Sequence, residues 1–68
     1  MDRVHYNVTG LLNNSTKTQI KNALDKIEGI QEVCVDLGRS SIEVGFNDSV
    51  TETDIRNCIE QTGFSIKN

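Results

Sequence analysis

Soft-donor side chains are scarce in this sequence. Cys34 and Cys58 are its only thiols and His5 its only imidazole. Thiolates and neutral imidazoles hold soft and borderline metal ions, and a thiolate is also a nucleophile. These three stand far apart in the chain, with no Cys-x-x-Cys spacing. Enzyme chemistry finds equally little footing: there is no nucleophile–base pair, no glycine-rich phosphate cradle and no pair of acids with an evident shared site. No catalytic residue is assigned, and the chain is not read as an enzyme. The polar cluster that does stand out is Gly10-Leu11-Leu12-Asn13-Asn14-Ser15-Thr16. Its amides and hydroxyls are hard, neutral groups that do not ionise near pH 7. What Asn, Ser and Thr do well is accept hydrogen bonds from the first backbone N–H groups of a helix.

The elements flanking that cluster follow from hydrophobic periodicity. Val4, Tyr6 and Val8 alternate with His5, Asn7 and Thr9, the period of a half-buried strand, which Gly10 ends. Ile20, Ala23, Leu24 and Ile27 then recur at helical spacing. Thr16 and Gln19 fit a capping box, with Asn13 an alternative cap a turn earlier. Gly29 closes this helix. Val33, Val35 and Leu37 alternate, as do Ile42, Val44 and Phe46, around a hairpin turn at Gly38-Arg39-Ser40. A second helix is expected from about Thr53 to Thr62, with Ile55, Cys58 and Ile59 on its apolar face and Thr51 and Asp54 at its start. Gly63 stops it, and Phe64-Ser65-Ile66 forms a short last strand.

The order is β-α-β-β-α-β, and it contains a repeat. Ile20-Lys21-Asn22-Ala23-Leu24 resembles Ile55-Arg56-Asn57-Cys58-Ile59, and Gly29-Ile30 matches Gly63-Phe64. Two βαβ halves of this kind predict an α+β, ferredoxin-like βαββαβ fold: a four-stranded antiparallel sheet with both helices on one face. The other face is expected to be open and polar, carrying His5, Asn7, Thr9, Cys34, Asp36, Ser41, Glu43, Gly45 and Ser65.

Sixty-eight residues make one domain, 1–68, with a modest core. Ten acids against seven bases give a net charge of −3, which argues against a nucleic-acid partner, since phosphate binding needs a basic face. No apolar run is long enough for membrane insertion and none reads as a signal peptide. The expectation is a cytoplasmic protein with free thiols, monomeric or weakly dimeric, with no cofactor.

The order and spacing of Val8-Thr9-Gly10-Leu11, Ile20 to Leu24, Gly29-Ile30 with Val33-x-Val35-Asp36-Leu37, and Ile55 to Phe64 resemble the heavy-metal-associated domain of copper chaperones and metal-transporting ATPases, over about Val4 to Ile66. The family's motif is Gly-Met-x-Cys-x-x-Cys on the first loop, whose thiolates bind Cu(I) or another soft ion. Gly10 matches its glycine and Leu11 replaces its methionine. Asn13 and Thr16 take the two cysteine positions. Cu(I) prefers sulfur, so the substitution implies a module that keeps the scaffold without the thiolate site. The resemblance further implies contact with a protein partner, such as a metal-transporting ATPase domain, around Leu11, Leu12, Asn13, Lys17 and Lys21, with the lysines steering an acidic surface. A solvated helix face explains the lysines more simply.

Cys58 reads as a small core residue. Cys34 points to the open face, where it could be a reactive thiol or crosslink two copies, although an inert surface thiol is the simpler reading. His5 and Cys34 should lie two strand spacings apart, roughly 10 Å, too far to share one ion directly. Two other functions fit less of the sequence: copper transport through non-standard or intermolecular ligands such as two Cys34 thiols, and a small-molecule regulatory domain of ferredoxin-like fold.

Overall fold

The computed structural model describes residues 2–10 and 13–67. The elements are β1 (Asp2–Thr9), α1 (Asn14–Asp25), β2 (Ile30–Asp36), β3 (Ser41–Phe46), α2 (Glu52–Gln61) and β4 (Ser65–Ile66). The sheet runs in the order β2-β3-β1-β4 with every neighbouring pair antiparallel. This is the ferredoxin-like architecture expected from the alternation of periods.

The core lies between one sheet face and the two helices. Tyr6 and Val8 from β1 and Ile42 and Val44 from β3 meet a matched pair from each helix, Ile20 with Leu24 and Ile55 with Ile59. Both pairs are spaced i, i+4, which places them on the same side of their helix. The internal repeat is therefore a repeat of packing. Cys58 is half-buried against this core, as a small residue at its edge.

Both helices start with a reciprocal capping box. Thr51 caps α2 by accepting from the Asp54 N–H at 3.2 Å, while Asp54 Oδ2 accepts from the Thr51 N–H at 3.3 Å. At α1 the sequence offered a Thr16–Gln19 box, with Asn13 as the alternative a turn earlier. The cap is that alternative, Asn13, and Thr16 is its reciprocal partner. Asn caps better than Thr, and the added turn brings more backbone groups into the hydrogen-bonded ladder. α1 also ends sooner than Ile27, at Asp25 with Lys26 as C-cap. Gly29 follows with φ of +100°, and a Cβ there would meet Asn47 Oδ1 at 2.9 Å and Ser49 Cβ at 3.0 Å. The β2–β3 turn forms as expected, but its left-handed residue is Ser40, with φ of 51°, rather than Gly38. Asp36 Oδ1 holds the turn by accepting from the Arg39 N–H at 3.1 Å.

The face away from the helices is less uniformly open than the alternation implied. Ser41 and Gly45 are buried and Glu43 is half-buried. All three belong to β3, an inner strand, and side chains from β1 and β2 lean over it. Arg3 Nη1 reaches Glu32 Oε1 at 2.9 Å and Glu43 Oε1 at 3.0 Å, joining β1, β2 and β3. The first of these contacts passes over Gly45, which pairs with both Arg3 and Glu32 and has no side chain to obstruct it.

One core group is poorly matched to its surroundings. Tyr6 is 3 % exposed, and its hydroxyl meets no hydrogen-bond partner among the described residues. The Arg56 guanidinium lies 5.6 Å from its ring centroid. Burial pushes the phenol pKa up and the Glu52 charge adds to this, with Arg56 opposing. Because the folded value lies above that of the unfolded chain, the neutral phenol's share of stability is intact below pH 10 and is lost as pH rises through the folded value. Tyr6→Phe removes an unpaired buried hydroxyl while keeping the ring. It is expected to leave stability at pH 7 unchanged or raise it by up to about 1 kcal/mol, and to flatten the alkaline decline. Urea denaturation at pH 7 and above pH 10 checks both.

Candidate functional site

The junction of β1 and α1 is built from both ends of the chain. Among the described residues β4 pairs with the end of β1 alone, Val8 with Ile66 and Thr9 with Ser65, so the last strand fastens the residues that enter the loop. Gly10 then takes φ of +101°, and a Cβ on it would come within 2.9 Å of Phe64 Cδ1. Backbone and aromatic ring approach there as closely as a glycine permits. Leu11 and Leu12, the expected apolar part of an interaction loop, lie outside the described residues.

On the helix side of the loop, Asn13 and Thr16 are tied to each other. Asn13 Oδ1 accepts from the Thr16 N–H at 3.1 Å, and Thr16 Oγ1 accepts from the Asn13 N–H at 3.2 Å. The Thr16 hydroxyl donates to the Asn13 carbonyl at 2.7 Å, and the Lys17 N–H donates to the same carbonyl at 3.2 Å. The side-chain oxygens of both residues are therefore spent on backbone N–H groups. They complete the helix start and leave no soft donor at the positions where the resemblance places thiolates. Lys17 is half-buried, and Lys21, one turn on, is exposed. Lys21 and Asp25 form no ion pair among the described residues.

The remaining residues singled out from the sequence are kept apart. β3 lies between β1 and β2, and Glu43 stands in register with His5 on one side and Cys34 on the other. Cys34 is exposed on β2 at the sheet border, and its thiol donates to Glu32 Oε1 at 3.6 Å. Both cysteines are free. His5, Cys34, Asp36, Arg39, Ser41 and Glu43 line a shallow groove of ≈ 230 Å³ on the open face. Among the described residues, no group of three His, Cys, Asp or Glu side chains is placed to hold a metal ion. The Arg3–Glu32–Glu43 cluster was not anticipated. A glycine inside a strand, here Gly45, is the signal that could have found it, since such a position often marks a close crossing by another group.

Solved structures supply the context. The chain superposes on the CopZ metallochaperone with a TM-score of 0.92 at 25% identity, covering 97% of this chain and 100% of that one. It superposes on a copper-binding domain from HMA7, a P-type ATPase, with a TM-score of 0.90 at 28% identity, covering 100% and 96%. The N-terminal domain of a potential copper-translocating P-type ATPase from Bacillus subtilis, solved in its Cu(I)-loaded state, gives 0.88 at 20% identity over 96% and 82%, a likeness of fold. No protein-family model matches the sequence. No curated protein sequence matches it either. The structural neighbours of this chain are copper chaperones and P-type ATPase domains of the heavy-metal-associated type, as the loop and helix spacings implied.

Two outcomes follow from this geometry. Asn13→Ala removes the cap acceptor and should cost about 1 kcal/mol in chemical denaturation, with Asn13→Asp close to neutral. The hydrogen bond from Arg3, with the charge of the same group, holds the Glu32 carboxyl below its ordinary value of 4.5. A folded value below the unfolded one contributes stability that is present above the unfolded pKa and lost as pH falls through the folded one. Acid titration of the fold should show this loss below pH 4.5, and Glu32→Gln should reduce its steepness.

Proposed function

We propose that this chain is a metal-trafficking module of the heavy-metal-associated type that works without a thiolate loop, as an accessory or protein-interaction domain spanning 1–68. The observation that carries the reading is the reciprocal Asn13–Thr16 cap. It occupies the loop–helix junction of a fold that matches a metallochaperone at a TM-score of 0.92. Neutral amide and hydroxyl oxygens already committed to backbone N–H groups are poor ligands for a soft ion. The sequence puts Leu11 and Leu12 just before this junction, and Lys17 and Lys21 lie on the first turns of α1, so this end is proposed as the contact surface. A metal-transporting ATPase domain with an acidic surface suits this end, because opposite charge accelerates encounter and fixes orientation. The reading requires no catalytic step and no resident cofactor, and it assigns the protein to the cytoplasm. No helix among the described residues is long and apolar enough to cross a membrane.

Anaerobic titration with Cu(I) and Zn(II) against a competing chelator tests the proposal. The monomer is expected to leave both ions with the chelator. Asn13→Cys combined with Thr16→Cys should take up one Cu(I) per chain, because the scaffold would then present two sulfurs beside a helix N-terminus that favours their anions. Stoichiometric, chelator-resistant binding by the unaltered monomer overturns the proposal. Uptake that disappears in Cys34→Ser would assign the metal to Cys34 instead.

A further inference from the structure

β2 forms one border of the sheet. It pairs with β3 on one side, and among the described residues no strand lies on the other. Alternate backbone N–H and C=O groups on its outer side can therefore receive another strand. Sheets commonly guard such a border with Lys, with Pro or by keeping the strand very short. β2 has seven residues, with neither Lys nor Pro. Its one irregularity, the register shift between Ile30 and Glu32, lies at its start and leaves Val33–Asp36 regularly paired. On the helix side of the same border, Val33, Val35 and Leu37 are only half-buried.

The residue pattern of β2 is its own complement. With a two-fold axis at Cys34, an antiparallel copy sets Val33 opposite Val35 and Val35 opposite Val33 on the helix side. On the other side Cys34 faces Cys34, and Glu32 faces Asp36. The acids bring their own cations: Glu32 lies 2.9 Å from Arg3, and Asp36 lies 3.8 Å from Arg39. Because Arg3 also lies 3.0 Å from Glu43, each Glu32–Asp36 contact gathers three carboxylates and two guanidiniums, and the arginines offset all but one of the negative charges. The neighbouring same-face alignments fit less well. An axis at Val33 sets Val35 against Gln31 and draws in the irregular start of the strand. An axis at Val35 sets the Cys34 thiol against the Asp36 carboxylate and runs the pairing into the turn.

We infer that β2 is a self-association edge, at which two copies of this chain pair antiparallel about Cys34 and join their four-stranded sheets into one continuous sheet. The occupant is a second copy because the run Glu32-Val33-Cys34-Val35-Asp36 reads alike in both directions, so one axis sets valine on valine and thiol on thiol while Arg3 and Arg39 offset most of the facing acid charge. The inference is independent of the metal reading above. A single strand pairing buries less than the roughly 1,200 Å² of a standard stable interface, so the dimer forms at high protein concentration. Directly opposed Cβ atoms in an antiparallel pair stand about 4.5–5.5 Å apart, which makes Cys34 a reporter of the register.

The test uses light scattering after size exclusion under reducing conditions, over a dilution series up to millimolar protein. The mass should rise from 7.6 kDa toward twice that value, and Cys34→Ser should behave the same way. Cys34→Lys and Cys34→Asp are exposed changes that set like charges face to face, so each alone should stay at the monomer mass with an unchanged circular dichroism spectrum. Mixed in equal amounts, these two variants should recover the doubled mass. In a parallel arm diamide oxidises the dimer: two Cys34 thiols lose two protons and two electrons, one S–S bond forms, and diamide becomes its hydrazine. This crosslink should form in Cys58→Ser, be lost in Cys34→Ser, and proceed at a rate that levels off as the dimer saturates. A wild-type mass that stays at 7.6 kDa at millimolar protein overturns the inference. So does a doubled mass that survives Cys34→Lys alone, or an equal mixture of the Cys34→Lys and Cys34→Asp variants that stays monomeric.

Discussion

A helix cannot satisfy its own first backbone N–H groups, and in α1 two of the groups at that end are answered by Asn13 and Thr16. That requirement governs the loop chemistry of this molecule. The same residues cannot both close the helix start and present free, soft donors to an ion. In α2 the equivalent work is done by Thr51 and Asp54, where it carries no functional implication. The likeness of the two boxes is what makes the one at Asn13 read as structural: each half of the fold begins its helix with a reciprocal polar pair.

The sheet fixes where everything else can act. Its inner strand β3 is covered on the outward side by Arg3, Glu32 and Glu43, so the open face offers a charged, groove-bearing surface rather than an apolar one. Its border at β2 is the contrasting region, long, half-apolar and without a basic residue. Of the lysines near the β1–α1 junction, Lys17 is half-buried and Lys21 exposed, while the outer main-chain groups of β2 meet no strand among the described residues.

Much of this was legible in the residues. Alternation in Val4–Thr9, Val33–Leu37 and Ile42–Phe46, and i, i+4 pairs at Ile20/Leu24 and Ile55/Ile59, identify every long element because burial imposes those periods directly. The separation of His5 from Cys34 follows from strand order, which the repeat implies. The cap of α1 was left between Thr16 and Asn13, because both residues are good caps and only the folded backbone decides where the first turn begins; Asn13 holds it. The burial of Ser41 and Gly45 was not legible from alternation, which says which face a residue occupies and nothing about long side chains from neighbouring strands. The Arg3–Glu32 contact joins residues distant in sequence, and only the three-strand register brings them together.

β4 is two residues long, and both clasp the last two residues of β1. The carboxy-terminal end of the domain is thereby a hinge-pin for its first loop, and Phe64, immediately before it, packs against Gly10. Removing Phe64 together with β4 would therefore take away both the strand that borders Val8 and Thr9 and the ring that packs on Gly10, so the entry to the first loop depends on residues more than fifty positions later in the sequence.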